Sequence, residues 1–540
     1  MSSTFSRSRR ELLQSSLSVT LLASLGVPSV VFADEAAAPV HGGTLTFLVY
    51  PEPTSLVSIA TTSGAEQRVS SKVHEGLLKY DFDLTPQPQL ATGWTVSPDG
   101  KLYTFSLREG VRWHDGKPFR AVDVVRSIEL LKAWHPRGKQ TFANVEALRA
   151  PDDHTVEIAL SQPAPYLLYA LSAAESPIVA AHVYDSLDSP AKNPASLSPI
   201  GTGAYIFRAW ERGTSAVFER NPDYWDQPKP YVDRLVARFI ADINARAAAL
   251  ETGELLVASE NPVALSEIKR LQALPHIAYT QDGYSYSPNQ HQLEFNLDKP
   301  YFKDLRVRQA IAHAIDRQTI LDVVYNGYGI VAPSPISPLL KRFYYDGVET
   351  YPFDLDKANA LLNEAGYPRG PDGVRFRITH DYLPYGSEFQ NLAAYLKNNL
   401  ARIGIDVTIR SQDLSAWIKR VYTDRDFDFV SNGLSNTFDP TVGVQRGYWS
   451  KSFVKGVPFS NASHYANSEV DALLETAAIE PDEKKRYDLF ARFQQIVARE
   501  IPLINTITVK QVTLFNRKVH DHTVTADGLR GNLADVFIKE

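Results

Sequence analysis

The sequence predicts a mixed α/β fold in which short strands alternate with amphipathic helices. Three observations carry this. Apolar residues switch along the chain between a period of two and a period near 3.6. Gly- and Pro-centred breaks separate the runs. The length, 540 residues with 44% hydrophobic side chains and no cysteine, requires a large core that no disulfide supports.

The elements follow in order. "TLTFLV", Thr44 to Val49, reads as the first strand after the N-terminal region. Asp99-Gly100 and Asp115-Gly116 each sit between strand-like runs, where glycine tolerates the positive φ of a tight turn. Val124, Val125, Ile128 and Leu131 then recur at helical spacing, and Val156, Ile158 and Leu160 alternate with Thr155, Glu157 and Ala159 as a half-buried strand. Further on, Asp304 is placed to cap a helix through Val307, Ile311 and Ile315 that ends near Gly327. Leu392, Leu396, Leu400 and Ile403 line another helix, closed by Gly404 and followed by a strand with Ile405, Val407 and Ile409. Pro481-Asp482 opens a last long helix with Phe490, Phe493, Ile496 and Val497 on one face. "SPAKNPASLSP" and "VAPSPISP" read as loops between packed units.

The N-terminus has the order of a cleavable export signal: a basic start, an apolar run from Leu17 to Val31, and small residues up to Ala33. Ser8-Arg9-Arg10-Glu11-Leu12-Leu13 within it matches a twin-arginine address. No later stretch approaches the roughly 20 apolar residues of a membrane span. A periplasmic protein follows as the expectation. Residues 1–33 carry three basic side chains and one acidic, so the remainder is two charges more negative than the whole chain's −6. That balance, without a basic cluster, argues against a nucleic-acid partner.

Chemistry-bearing motifs are sparse. "REGVRWHDGKPF" sets His114 and Asp115 beside Trp113, but no third ligand or nucleophile accompanies them. G-x-S-x-G, H-E-x-x-H and Walker A signatures are absent. His520-Asp521-His522 puts two histidines at i and i+2, which reads as one face of a strand rather than a metal site. No cofactor or metal is expected, and no enzyme.

Six ordered stretches, "LATGWTVSPDGKLYTFSLREGVRWHDGKPFRAVDVVRS", "SPIGTGAYIF", "NPDYWDQPKPYVDRL", "RVRQAIAHAIDRQTI", "DLDKANALLNEAGYP" and "NSEVDALLETA", resemble the family 5 extracellular solute-binding proteins of ABC importers. The resemblance implies a two-lobed periplasmic binding protein. Lobe I would comprise 34–80, 190–286 and 512–540, with a subdomain at 81–189 inserted into it, and lobe II 287–511. It also implies a hinge that closes on a solute, an oligopeptide, an opine or a related polar compound, and delivery to the permease subunits of an inner-membrane transporter by a monomeric receptor. An extracytoplasmic hydrolase, a peptide-holding chaperone and a chemoreceptor partner are the rival classes. Within this resemblance "HDG" is scaffold, and Arg120 stands where relatives place a capping Thr or Ser.

Carried over residue by residue, the position that holds a dipeptide's amine falls on Asn436, with Asp439-Pro440 retained after it. The carboxylate-holding arginine falls on Leu383, with Tyr385 retained, and the packing Trp falls on Leu414, one helical turn from Trp417. Loss of both charges would leave a dipeptide zwitterion buried unpaired, at a cost of several kcal/mol. The candidate contacts are Glu52, Ser63, Arg137, Tyr385, Trp417, Asn436, Asp439 and Arg446, with Arg446 suited to bidentate recognition of a carboxylate or phosphate.

Overall fold

The computed structural model describes residues 38–539, so the expected export segment lies outside the described residues. Two large sheets organise the chain from Pro39 onward. The first has seven strands, in the order 277–280, 513–516, 257–258, 44–48, 234–238, 215–220, 205–211. Thr44–Leu48 lies in its interior, parallel to Arg234–Arg238, with Leu45 and Phe47 fully buried. The second has six strands, in the order 329–331, 503–509, 289–295, 429–435, 376–382, 405–410. Leu503–Val509 is buried at every position, as expected of a strand covered on both faces. The chain passes between the two sheets twice, at 281–288 and at 510–512.

A third, antiparallel sheet of four strands occupies 91–160. The Asp99-Gly100 turn joins its first two strands, with Gly100 at φ +68°. Ala121–Trp134 follows as the expected helix, and Val124, Ile128 and Leu131 are at most 1% exposed. Burial of each contributes on the order of 1.5–3 kcal/mol. Val156, Ile158 and Leu160 are buried in the strand Thr155–Leu160. Asp482 caps the helix Glu483–Glu500 by accepting from the Lys485 amide, and Phe490, Phe493, Ile496 and Val497 face the core.

Two expectations need correction. The helix begun at Asp304 stops at His313, and a second cap, Asp316, accepting from the Gln318 and Thr319 amides, starts a new turn. The break falls where the apolar spacing continues through Ile320 and Val324, so periodicity alone hides it. The strand expected on either side of Asp115-Gly116 is reduced to one bridge between Arg112 and Pro118.

The "WHDG" stretch is scaffold. Trp113 is 2% exposed and donates from Nε1 to Asp123 Oδ2 at 3.2 Å. The same carboxylate accepts from the Arg120 and Ala181 amides, each at 2.8 Å, so Asp123 supplies the helix start that the Arg120 side chain does not. His114 hydrogen-bonds through Nε2 to the Gly203 carbonyl at 3.0 Å, and burial lowers its pKa to about 4. Asp115 pairs instead with His182, at 2.7 Å.

Candidate functional site

The helix Gly64–Val73 builds one wall. Glu66, Gln67, Arg68, Ser70, Ser71 and Lys72 are all buried within it, which an amphipathic reading of "GAEQRVSSKV" would place in solvent. A Cβ at Gly64 would come within 3.1 Å of the Arg530 guanidinium, which would have to give way slightly to admit it.

From this helix a chain of charge-assisted hydrogen bonds runs in both directions. Gln67 donates to Glu175 at 3.0 Å and accepts from Arg530 at 3.0 Å. Arg530 holds Glu260 Oε1 at 2.8 Å, and Arg68 holds Glu260 Oε2 at 2.9 Å. Burial alone would raise the Glu260 pKa, but these two guanidiniums overrule it and bring it down to about 2. On the other side Arg137 grips Glu175 with two donors, Nε at 2.7 Å and Nη2. Burial opposes ionisation of Glu175 as well, and Arg137 holds its carboxyl below the ordinary value.

Glu175, Glu260, Tyr284, Ser287, Asp527 and Arg530 line a cavity of about 20 Å³ beside the two crossings between the sheets. That is room for about one water. A larger groove, about 630 Å³, lies between Tyr103, Tyr169, Phe343 and Tyr487. Its polar groups do not converge on it, because Arg486 is engaged by Asp439 and Arg342 by Glu483, so the smaller, charged cavity is the better site.

None of the eight expected contacts lines this cavity, but three stand behind its walls. Ser63 precedes Gly64 and makes no capping hydrogen bond with its hydroxyl. Arg137 holds Glu175, and its neighbour His135 ties it to the loop at Thr61 by a 3.0 Å hydrogen bond. Arg446 donates from Nε to the Gly443 carbonyl at 3.2 Å and from Nη2 to the Ser435 carbonyl at 3.3 Å. Ser435 in turn shares a hydroxyl hydrogen bond with Ser287 of the cavity wall.

The other five are placed elsewhere. Glu52 turns to the 205–220 hairpin, accepting from Trp210 Nε1 at 3.0 Å and from the Gly213 amide. Trp417 is fully buried against Tyr422 and Phe459 and is a core residue, not a stacking platform. Asn436 is 3% exposed, its Oδ1 taken by the Ser337 amide at 2.6 Å. Asp439 is 0% exposed and is held by two 2.7 Å hydrogen bonds from Arg486 while capping the short helix Pro440–Gly443. Tyr385 is 60% exposed, its ring 6.5 Å from that of Phe459.

Residues 85–455 match the family model of the bacterial extracellular solute-binding proteins, family 5. The chain belongs to this family. Among family 5 relatives, the dipeptide-binding protein of Escherichia coli K12 is 27% identical over 493 residues, 87% of this chain and 90% of its own. The glutathione-binding protein GsiB of Salmonella typhi is 27% identical over 519 residues, 94% and 96% of the two chains. The periplasmic binding protein DppA of Helicobacter pylori, in complex with the peptide STSA, superposes with a TM-score of 0.76 at 26% identity, covering 93% of this chain and 99% of that one. AgaA of A. tumefaciens R10, in complex with agropinic acid, does so with a TM-score of 0.74 at 27% identity, covering 92% and 99%. The fold is thus the two-lobed mixed α/β architecture of periplasmic binding proteins, and the chain is a substrate-binding protein of the ABC-transporter type. The family and these relatives are binding proteins rather than enzymes. Among the described residues no helix is long and apolar enough to cross a membrane.

Proposed function

We propose that this chain is a monomeric periplasmic receptor that takes a polar solute at the Glu175–Arg530 cavity and presents it to an inner-membrane permease, without converting it. The observation that carries this reading is the cavity's position. It lies at the two crossings between the sheets, where residues 283–287 and Gln511 form part of its wall, so relative movement of the lobes would open and shut it. The lobes in this reading are those delimited from the sequence, with 281–288 and 510–512 as the hinge. Export through the twin-arginine route completes it.

The solute class is an opine-like polar compound or a longer peptide held by its backbone, rather than a dipeptide. At the two positions matched to dipeptide-reading charges stand Asn436, whose oxygen is already engaged, and Leu383, which is 1% exposed. Neither compensates a buried terminal charge.

The test is thermal unfolding of protein stripped by unfolding and refolding, against dipeptides, longer peptides, opines, glutathione and oligosaccharides. A solute at about 1,000 times its dissociation constant adds roughly 4 kcal/mol of stability. The expected outcome is selective stabilisation by one class other than dipeptides. Strong stabilisation by dipeptides would overturn the assignment of Asn436 and Leu383.

A further inference from the structure

Arg446 differs from every other arginine around the cavity. Arg68 and Arg530 share Glu260, and Arg137 is gripped by Glu175. Arg446 has no carboxylate within salt-bridge distance among the described residues; it meets only the carbonyls of Gly443 and Ser435. A guanidinium carries five N–H donors, so these two contacts leave three unused, including both on Nη1. The group is partly exposed, not sealed in the core. Partial desolvation of an unpaired charge carries a cost, and such a cost persists where a partner arrives later.

A second cation stands nearby. Arg137 immediately precedes the short helix Gly138–Thr141, and Gln140 of that helix donates to the Thr441 carbonyl at 3.1 Å. Thr441 belongs to the helix Pro440–Gly443, whose last carbonyl holds Arg446 Nε. Arg137 uses Nε and Nη2 on Glu175, leaving Nη1 free. The two arginines therefore stand on segments in contact, the 121–141 helices and the segment that follows strand 429–435. Burial first, and then Arg137, lowers the Arg446 pKa to about 10. The cavity's carboxylates do not restore the balance. Glu175 and Glu260 are already paired, and burial raises Asp527 to about 7, so it is only partly charged near neutrality.

We infer that Arg446, with Arg137 as its second cation, is the seat of an anionic group of the solute, a carboxylate or a phosphate. This rests on the receptor reading above and narrows it to acidic solutes. Without the anion, two like charges meet at the closed contact; with it they are bridged, so the solute favours closure through that group. Bidentate geometry suits either oxyanion.

The experiment compares the stripped protein with Arg446→Gln, using acetate and inorganic phosphate as separate probes at constant ionic strength with chloride as reference. Three results are expected. In chloride alone Arg446→Gln melts higher than wild type, because an unpaired charge is gone. One of the two anions stabilises wild type saturably and thereby names the oxyanion class. The dissociation constant for that anion rises at least tenfold in Arg446→Gln but not in Arg377→Gln, an exposed arginine paired with Asp372. A lower melting temperature in Arg446→Gln in every buffer, or an unchanged anion response, would overturn the seat and make Arg446 structural. If the solute screen instead yields a neutral ligand that binds Arg446→Gln as tightly as wild type, the receptor reading stands and the anion seat falls.

Discussion

At the residue scale, the site depends on which buried charges have partners. Glu294, in the middle of the six-stranded sheet, is 1% exposed, and its Oε1 accepts from the amides of Ala462 and Ser463. Burial, only partly offset by these bonds and by Arg425, raises its pKa from 4.5 to about 7. Below the unfolded value both states are protonated and the group costs nothing. As pH rises from 4.5 to about 7 the unfolded chain ionises first, so stability falls across that window and levels off above it. Glu294→Gln keeps an oxygen for the two amides and removes the charge. It is expected to match wild type at pH 4.5 and to exceed it at pH 8 by about 1–3 kcal/mol. Urea midpoints at the two pH values decide this, and an equal offset at both would refute the assignment. The same residue-scale view explains why sequence reading placed Trp417 and Asp439 at the ligand. An aromatic ring and a carboxylate near a binding loop look alike whether they face solvent or a partner, and only the packing of Tyr422 and the Arg486 guanidinium separates the cases.

At the element scale, most helices and strands were legible because their apolar spacing and caps agree. Asp482, Gly404 and the Thr155–Leu160 alternation are examples in which local signal and tertiary burial coincide. Two elements were not. The break at Asp316 is hidden because the apolar period runs through it, and the helix Gly64–Val73 is hidden because its buried face is polar. Glu175, Glu260 and Arg530 were missed for a related reason: they are about 85 and 270 residues apart in sequence, and nothing local marks them as one network. The short helix Pro440–Gly443 matters most for the site, since its end holds Arg446. A Cβ on Gly443 would sit 1.8 Å from the Asn436 carbonyl oxygen, so the turn must shift to admit one. Gly443→Ala is expected to cost roughly 1–3 kcal/mol by overpacking and to weaken the anion response by moving the carbonyl that orients Arg446. Gly447→Ala, whose Cβ would meet only Leu434 at 3.8 Å, should leave both within error. Urea unfolding with phosphate and acetate titration reads both effects, and equal behaviour of the two variants would show that the turn does not position Arg446.

At the scale of the whole molecule, the cavity and the crossings have to be taken together. About 20 Å³ excludes any solute larger than a water or two, so a ligand cannot enter the form described here without movement of its walls. Those walls come from segments far apart in the chain, around Glu175, Glu260, the crossing at 283–287, Gln511 and Arg530, and they are backed by the helix at Arg137 through Glu175 and by the turn at 435–446 through Ser287. They meet through contacts as small as Gln140 on the Thr441 carbonyl and Ser287 on Ser435. One hydrogen bond contributes about 0.5–1.5 kcal/mol, so these seams break at low cost compared with the burial that holds strand 503–509. Hydrogen exchange should register that difference. In stripped protein the amides of 138–143 and 440–447 are expected to exchange by local opening, and those of Leu503–Val509 only with global unfolding. Adding the solute that gives the largest thermal shift should slow exchange in 138–143 and 440–447 together, by tenfold or more, because a ligand that bridges the two walls must be released before either moves freely. Protection confined to one wall would mean that the solute binds a single lobe and that closure is not coupled to its capture.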